Sequence, residues 1–349
     1  RGHATSGPSA GAAPPWEEGN PVVSPLRKPW LRRAIKAAVG AVVLVMVGRH
    51  VARTWSDLHA NGRAVRVEPG WIALAGALYL AGLGACGVFF GRVLREGPSP
   101  VALGPAVRAY LISHLGKYVP GKAMVVVMRV ALVVPHGARP ATAAFATLYE
   151  TLVMMASGGL VAALGFATRA DAPVLRLALL LALGLGLAFF VAVEPRVFPR
   201  LVAPLRLPFP GVGPEALPRL SHGLLARGLL WTAPGWVLLG LSQVAIIRAV
   251  RPEGVPMGLW PLVVGGVALA TVAGFVIAVA PGGLGVREWV LWNVMAPVLG
   301  LEVATLSAVL LRLAWVGGEL LAAAVLAVLR PRPRSSSSSS SSPAGSVAP

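Results

Sequence analysis

Seven runs of mostly apolar residues dominate this chain, at 34–53, 70–91, 141–167, 173–193, 229–250, 259–280 and 303–329. Each is close to or above the roughly 20 residues that a helix needs to cross a bilayer. The composition leaves no soluble alternative. With 56% hydrophobic and 13% charged residues, the chain carries too little charge to cover a water-soluble globule of 349 residues, where about 25% is usual. A soluble enzyme domain is excluded.

Two further apolar segments are interrupted by Pro-Gly. One is 102–134, split at Val119-Pro120-Gly121; the other surrounds Ala280-Pro281-Gly282-Gly283 and returns through 284–300. In lipid, backbone polar groups are satisfied inside helices, and a broken helix is tolerated only against protein or a wet cavity. Both segments therefore read as re-entrant hairpins. The expected fold is an all-α polytopic membrane protein with about 7–8 transmembrane helices and two Pro-Gly-broken hairpins. The ends differ in kind. Residues 1–26, rich in Gly, Pro, Ala and Ser, and residues 331–349, with eight consecutive serines from Ser335 to Ser342, cannot bury a core and read as disordered tails. Residues 27–330 form the integral membrane domain. No signal peptide is expected, because no small-residue cleavage site follows the first apolar run.

Lys and Arg number 31 against 13 Asp and Glu, a net charge of +18. No aromatic-and-basic surface segment stands apart from the spans, so nucleic acid is not an expected partner. Basic residues instead mark the cytoplasmic side. Arg27, Lys28, Arg32, Arg33 and Lys36 flank the start of the first span, and Arg196, Arg200, Arg206, Arg219 and Arg227 fall in the loop 194–228. Arg330, Arg332 and Arg334 follow the last span, so both termini are expected in the cytoplasm of an inner-membrane protein. This arrangement requires 102–134 to enter and leave on the cytoplasmic side, and it has the second break approached from the outer side. Two hairpins 161 residues apart, Pro120 to Pro281, would then point in opposite directions. That is the signature of an inverted repeat, with a first copy at 102–193 and a second at 229–329.

Nucleotide, zinc-protease and nucleophile-elbow motifs are absent, and the six His are scattered, so no cofactor or metal is expected. A single cysteine, Cys86, permits no internal disulfide. Chemistry is sought instead among ionisable residues within the spans, where charge is costly unless paired or hydrated. Glu150 stands 30 residues after Pro120 and Arg312 stands 31 after Pro281. As near-equivalent positions of opposite charge, they are expected to meet near the midplane and line a polar cavity. The alternative is a structural ion pair that only fixes helix packing. Arg312 and Glu319, two helical turns apart, share a face.

The first hairpin carries Lys117, Pro120, Gly121 and Lys122, with Arg129 beyond. A helix starting after Gly121 would aim its positive end at a cavity to which these side chains add charge, which suits a phosphate. The alternative is interfacial anchoring of a short amphipathic helix. In the second hairpin, Pro281, Gly282, Gly283 and Gly285 precede Arg287 and Glu288. Three glycines in four residues before a helix suit a phosphate cradle, and Glu288 reads equally as a substrate contact or as a helix-start residue at the positive dipole end. Trp16, Trp30, Trp71, Trp260 and Trp289 read as an interface belt.

The stretch Gly116-Lys117-Tyr118-Val119-Pro120-Gly121-Lys122 with Arg129, together with Pro281-Gly282-Gly283-Leu284-Gly285-Val286-Arg287-Glu288, resembles the paired signatures of one membrane family. It is the family named for the transmembrane region of bacterial lysylphosphatidylglycerol synthases, and the resemblance runs from about residue 34 to 330. Arg312 also looks like a position that this family keeps charged. The chain departs from the family pattern at Glu150-Thr151, where many members carry Glu-Arg.

The resemblance implies an inner-membrane protein acting on lipids. In bifunctional members this region moves aminoacylated phosphatidylglycerol between leaflets, and a soluble domain makes it. Aminoacyl transfer is not expected here, since only the Ser-rich segment follows Leu329. The leading expectation is a lipid flippase or transporter for an anionic phospholipid or a lipid-linked headgroup. Lys117, Lys122, Arg129, Arg287 and Arg312 would meet phosphate, and Glu150, Glu288 and Glu319 would face any cationic part. The alternative is an accessory subunit or enzyme of lipid-linked glycan synthesis, disfavoured as an enzyme because the loop 194–228 offers only Glu194 and Glu215 as carboxylates.

Overall fold

The computed structural model describes residues 67–118, 123–167, 169, 171–203, 218–277, 283 and 285–329. Both tails, the 34–53 run and the break residues Pro120, Gly121, Lys122, Pro281 and Gly282 lie outside them. The described residues form ten α-helices and no strand: α1 Pro69–Arg95, α2 Leu103–Ser113, α3 Ala123–Val133, α4 Pro140–Ala167, α5 Pro173–Ala192, α6 Phe198–Val202, α7 His222–Val250, α8 Trp260–Val276, α9 Val286–Leu299 and α10 Leu301–Val328. Six stretches among them are long and apolar enough to span a membrane: α1, α4, α5, α7, Met257–Val276 and α10. The chain is an all-α polytopic membrane protein.

Local chemistry sets the boundaries. Pro at the first or second position opens α1, α5 and α8, where its missing N–H costs nothing and its fixed φ suits a helix. Arg92 and Arg95 close α1, favourably placed against the dipole. Ser221 caps α7 by accepting from the Leu224 amide at 3.1 Å. That cap starts the helix at His222, seven residues before the apolar run at 229–250. Its exposed first turns carry Arg227, which reaches Glu96 at the end of α1 at 3.4 Å. The connection between α5 and α7 is correspondingly shorter than 194–228 and holds the short helix α6.

Two sets of four helices follow one another in the same order: a long helix, the two limbs of a hairpin, and a second long helix. In the first set these are α1, α2, α3 and α4; in the second, α7, α8, α9 and α10. Each packing within one set has its counterpart in the other, and α1 against α10 is matched by α4 against α7. The most extensive packing joins α1 to α7. These two run antiparallel, since the Glu68 amide donates to Ala249 O and the Arg219 amide to Glu96 O, both at 3.0 Å. A Cβ at Gly82 would stand 2.8 Å from Gly235 O and closer still to the Leu239 side chain, so the two helices approach closely there. Close approach of this kind replaces the hydrophobic drive that helices lack within lipid. Helix α5 lies outside the matched order and packs on α4, α8 and α9.

Polar side chains stitch the bundle. Trp236 on α7 donates to Ser157 on α4 at 3.1 Å, Trp315 on α10 donates to Ser242 on α7 at 2.7 Å, and Gln243 donates to Ser307 at 2.9 Å. The outward face stays apolar, with Leu160, Leu164, Leu180, Leu187 and Leu321 exposed where lipid would cover them.

The first hairpin is narrow. After α2 the chain tightens into a 3-10 turn, His114–Tyr118, that lies against the start of α3. A Cβ on Gly116 would come within 2.7 Å of the Val125 amide nitrogen, and backbone cannot step aside. Gly116→Ala is therefore expected to cost about 1–3 kcal/mol as an overpacked contact, read as a lower unfolding midpoint of the detergent-purified protein. An unchanged midpoint would show that the limbs separate at no cost.

Candidate functional site

Two groups of buried charges lie side by side. The first belongs wholly to the first set of helices. Arg129 on α3 donates from Nη1 to Glu150 Oε2 on α4 and from Nε to Ser113 Oγ, each at 3.0 Å. Glu150 Oε1 accepts from the Tyr110 hydroxyl at 2.9 Å. The guanidinium lies 4.0 Å from the Tyr110 ring centre and 5.0 Å from that of Phe90. Both charged residues are 1% exposed. Buried charges persist only when paired and hydrogen-bonded, and this pair meets that demand from three helices.

The expected meeting of Glu150 with Arg312 does not occur. Glu150 is paired with Arg129, and Arg312 donates from Nη1 to Glu288 Oε1 at 2.7 Å. Each set of helices thus closes its own pair, with the signs exchanged. The hairpin limb supplies Arg129 in one and Glu288 in the other; the long helix supplies Glu150 in one and Arg312 in the other. The Arg129–Glu150 pair corresponds to the packing alternative, and Arg129, enclosed on every side, is not placed to meet a phosphate. Thr151 donates to Thr147 O at 2.8 Å and lies 3.4 Å from Glu150 Oε2, so Arg129 is the cation that pairs with Glu150.

The second group lies where the two hairpins converge. Glu288 does two things at once. Its Oε2 accepts from the Gly285 amide at 2.8 Å, completing the start of α9, while its Oε1 holds Arg312. Gly285 has φ 83°, a left-handed backbone that favours glycine. The Arg287 stem is packed between Gly274 and Gly283, where an added Cβ would meet it at 2.8 Å and 3.0 Å. Its guanidinium lies 4.5 Å from the Trp315 ring centre. Among the described residues no carboxylate forms an ion pair with Arg287.

From the first hairpin, Lys117 Nζ donates to Glu319 Oε1 on α10 and to the Tyr79 hydroxyl at 3.1 Å. Tyr79 in turn donates to the same Glu319 oxygen and stacks on Trp315 with ring centres 4.3 Å apart. His114 stands between the two groups, stacked over Tyr110 and 3.9 Å from Glu319. Among the described residues, two buried polar atoms here find no hydrogen-bond partner, Arg312 Nε and Glu319 Oε2.

Five of the sequence-selected residues therefore converge: Lys117, Arg287, Glu288, Arg312 and Glu319, with Gly283 and Gly285 shaping the backbone beside them. Arg129 and Glu150 form the neighbouring closed pair. Tyr79 and Trp315 were not anticipated. The signal for Trp315 was present, since positions 312, 315 and 319 follow helical spacing along one face. Tyr79 offered less: it is the sole hydroxyl in the 70–91 run. No group of three or more His, Cys, Asp or Glu among the described residues could hold a metal ion.

Chemically, three cations and two carboxylates share a site lined by aromatic faces. Lys117 lies within the fields of both Arg287 and Arg312. Such an arrangement can hold an anion, with Arg287 carrying a charge that no carboxylate neutralises by contact and Arg312 an unused donor. Compared with protein-family models and with curated protein sequences, the chain matches none.

Proposed function

We propose that this protein moves an anionic phospholipid or a lipid-linked phosphate headgroup between the leaflets of the inner membrane, its acyl tails staying in the bilayer. The observation that carries this reading is the convergence of Lys117, Arg287 and Arg312 between two hairpins in the interior of a membrane protein. Charge in that setting is costly, and its usual role is to mark a substrate path. Phosphate is the fitting partner for guanidinium groups, which meet it with two parallel hydrogen bonds. The matched order of the two helix sets, Pro69–Ala167 and His222–Val328, supports an inverted repeat with bounds that differ from the expected 102–193 and 229–329. In such an architecture a substrate site lies near the midplane between the repeats. The positive residues at the ends of α1 and in the loop before α7 support a cytoplasmic location for that side. The role is transport, without catalysis by this chain.

The test is a leaflet-asymmetry measurement on the full chain in proteoliposomes carrying fluorescent phosphatidylglycerol, with a membrane-impermeant quencher added outside. Faster loss of protection than in protein-free vesicles is the expected result. No acceleration for any major lipid of the host would overturn it.

A further inference from the structure

The charges gathered between the hairpins do not cancel. Lys117, Arg287 and Arg312 stand against Glu288 and Glu319, which leaves one positive charge in excess among the described residues. His114 in its ordinary state adds none at neutral pH. The neighbouring Arg129–Glu150 pair is closed and contributes nothing. An uncompensated charge inside a bundle is costly, so the site is one negative charge short of balance. A zwitterionic headgroup brings no net charge to it. A phosphate monoester, close to doubly charged at neutral pH, brings too much.

Two atoms add a second requirement. Arg312 Nε and Glu319 Oε2 find no hydrogen-bond partner among the described residues, in side chains only 8% and 1% exposed. One is a donor and the other an acceptor. They lie on one face of α10, two turns and roughly 10 Å apart along its axis. A phosphodiester satisfies the first, because its oxygens accept. It has no hydrogen to offer the second, so Oε2 requires a donor from the alcohol that the phosphate carries.

A hydroxyl suits that place better than an ammonium. The Glu319 carboxylate is already ringed: Lys117 and Tyr79 donate to Oε1, His114 lies 3.9 Å from it, and Tyr118 stands in its field. Lys117 supplies the counter-charge, and a second ammonium would be pressed against the first. A neutral hydroxyl adds the missing hydrogen bond and no charge.

We infer that the site selects a phosphodiester lipid with one net negative charge and a hydroxylated headgroup: Arg287 and Arg312 Nε hold the phosphate, and Glu319 Oε2 accepts from the hydroxyl. The inference rests on the transport reading above and narrows its substrate. A zwitterionic lipid can reach Oε2 with its ammonium but leaves the excess charge in place. A monoanionic lipid without the hydroxyl cancels the charge but leaves Oε2 buried and unpaired, which is how a polar site rejects an analogue lacking one group.

The experiment uses the full chain in proteoliposomes with acyl-labelled lipids and the quencher outside. Phosphatidylglycerol carries both charge and hydroxyl, phosphatidylmethanol the charge alone, and phosphatidylethanolamine an ammonium and no net charge. Phosphatidylglycerol is expected to cross about tenfold faster than phosphatidylmethanol and about ten- to hundredfold faster than phosphatidylethanolamine, the range for hydrogen bonds to charged groups. Arg287→Gln removes the excess charge, so its preference for phosphatidylglycerol over phosphatidylethanolamine is expected to fall towards unity. Equal wild-type rates for phosphatidylglycerol and either comparison lipid overturn the selectivity and leave the transport reading standing. A preference that Arg287→Gln leaves unchanged overturns it as well. Should that variant not fold, the three wild-type rates decide alone. No movement of any lipid beyond that in protein-free vesicles defeats both readings.

Discussion

Arg129→Ala is expected to lower stability by about 3–5 kcal/mol, the ordinary cost of stripping one partner from a buried ion pair. The substitution leaves Glu150 with the Tyr110 hydroxyl as its remaining strong donor and empties the space between the Tyr110 and Phe90 rings. Glu150→Leu alone should cost a similar amount, because Arg129 would keep Ser113 as its hydrogen-bond acceptor and two aromatic faces but no counter-charge. The double change Arg129→Met with Glu150→Leu should recover most of the loss, since apolar groups of like volume escape the desolvation cost of the pair. Thermal or denaturant unfolding of the purified proteins in one detergent provides the comparison. Equal destabilisation by the single and double variants would show that the pair is not what holds α2, α3 and α4 together.

Arg287→Ala should behave in the opposite way. Its guanidinium rests on the Trp315 face and forms no ion pair with a carboxylate among the described residues, so stability should fall by about 2 kcal/mol, the worth of a desolvated cation–π contact. Lipid movement should fall about ten- to hundredfold, the effect of losing a charge-assisted hydrogen bond worth about 1.5–3 kcal/mol. Arg287→Lys keeps the charge but not the paired donors, and should recover part of the rate. A folded Arg287→Ala protein that scrambles lipid at the wild-type rate would remove this residue from the path. The pair of experiments separates two kinds of buried arginine: one that holds the bundle and one that the bundle holds ready.

Much of the fold could be read from the chain because lipid imposes a length on any spanning helix. The runs at 70–91, 141–167, 173–193, 259–280 and 303–329 reappear within a few residues of α1, α4, α5, α8 and α10. The start of α7 was missed because a capping serine and an exposed first turn extend the helix beyond its apolar stretch. The charged residues were identifiable individually, since each interrupts a run where charge is expensive. Their partners were not. Glu150 and Arg312, at near-equal spacing from Pro120 and Pro281, each fall on the last long helix of their set, but matching positions in two sets need not touch. Each found its opposite charge on the adjacent hairpin limb instead. Lys117 and Glu319 meet across 202 residues, a proximity that only the packing of α1, α10 and the first hairpin creates.

The single residue Gly300, with φ 84°, is all that separates α9 from α10, whereas residues 134–139 intervene between α3 and α4. A one-residue joint pinned again by Glu288–Arg312 makes the second hairpin limb and the last span a stiff bracket. Arg287, Glu288, Arg312, Trp315 and Glu319 all ride on it. Lys117 comes from the first hairpin, whose return limb reaches α4 through the separate 3-10 turn Val134–His136. Any motion that parts Lys117 from Glu319 is thus a swing of the first hairpin against an anchored frame, and spectroscopic labels on the two hairpins should show unequal mobility.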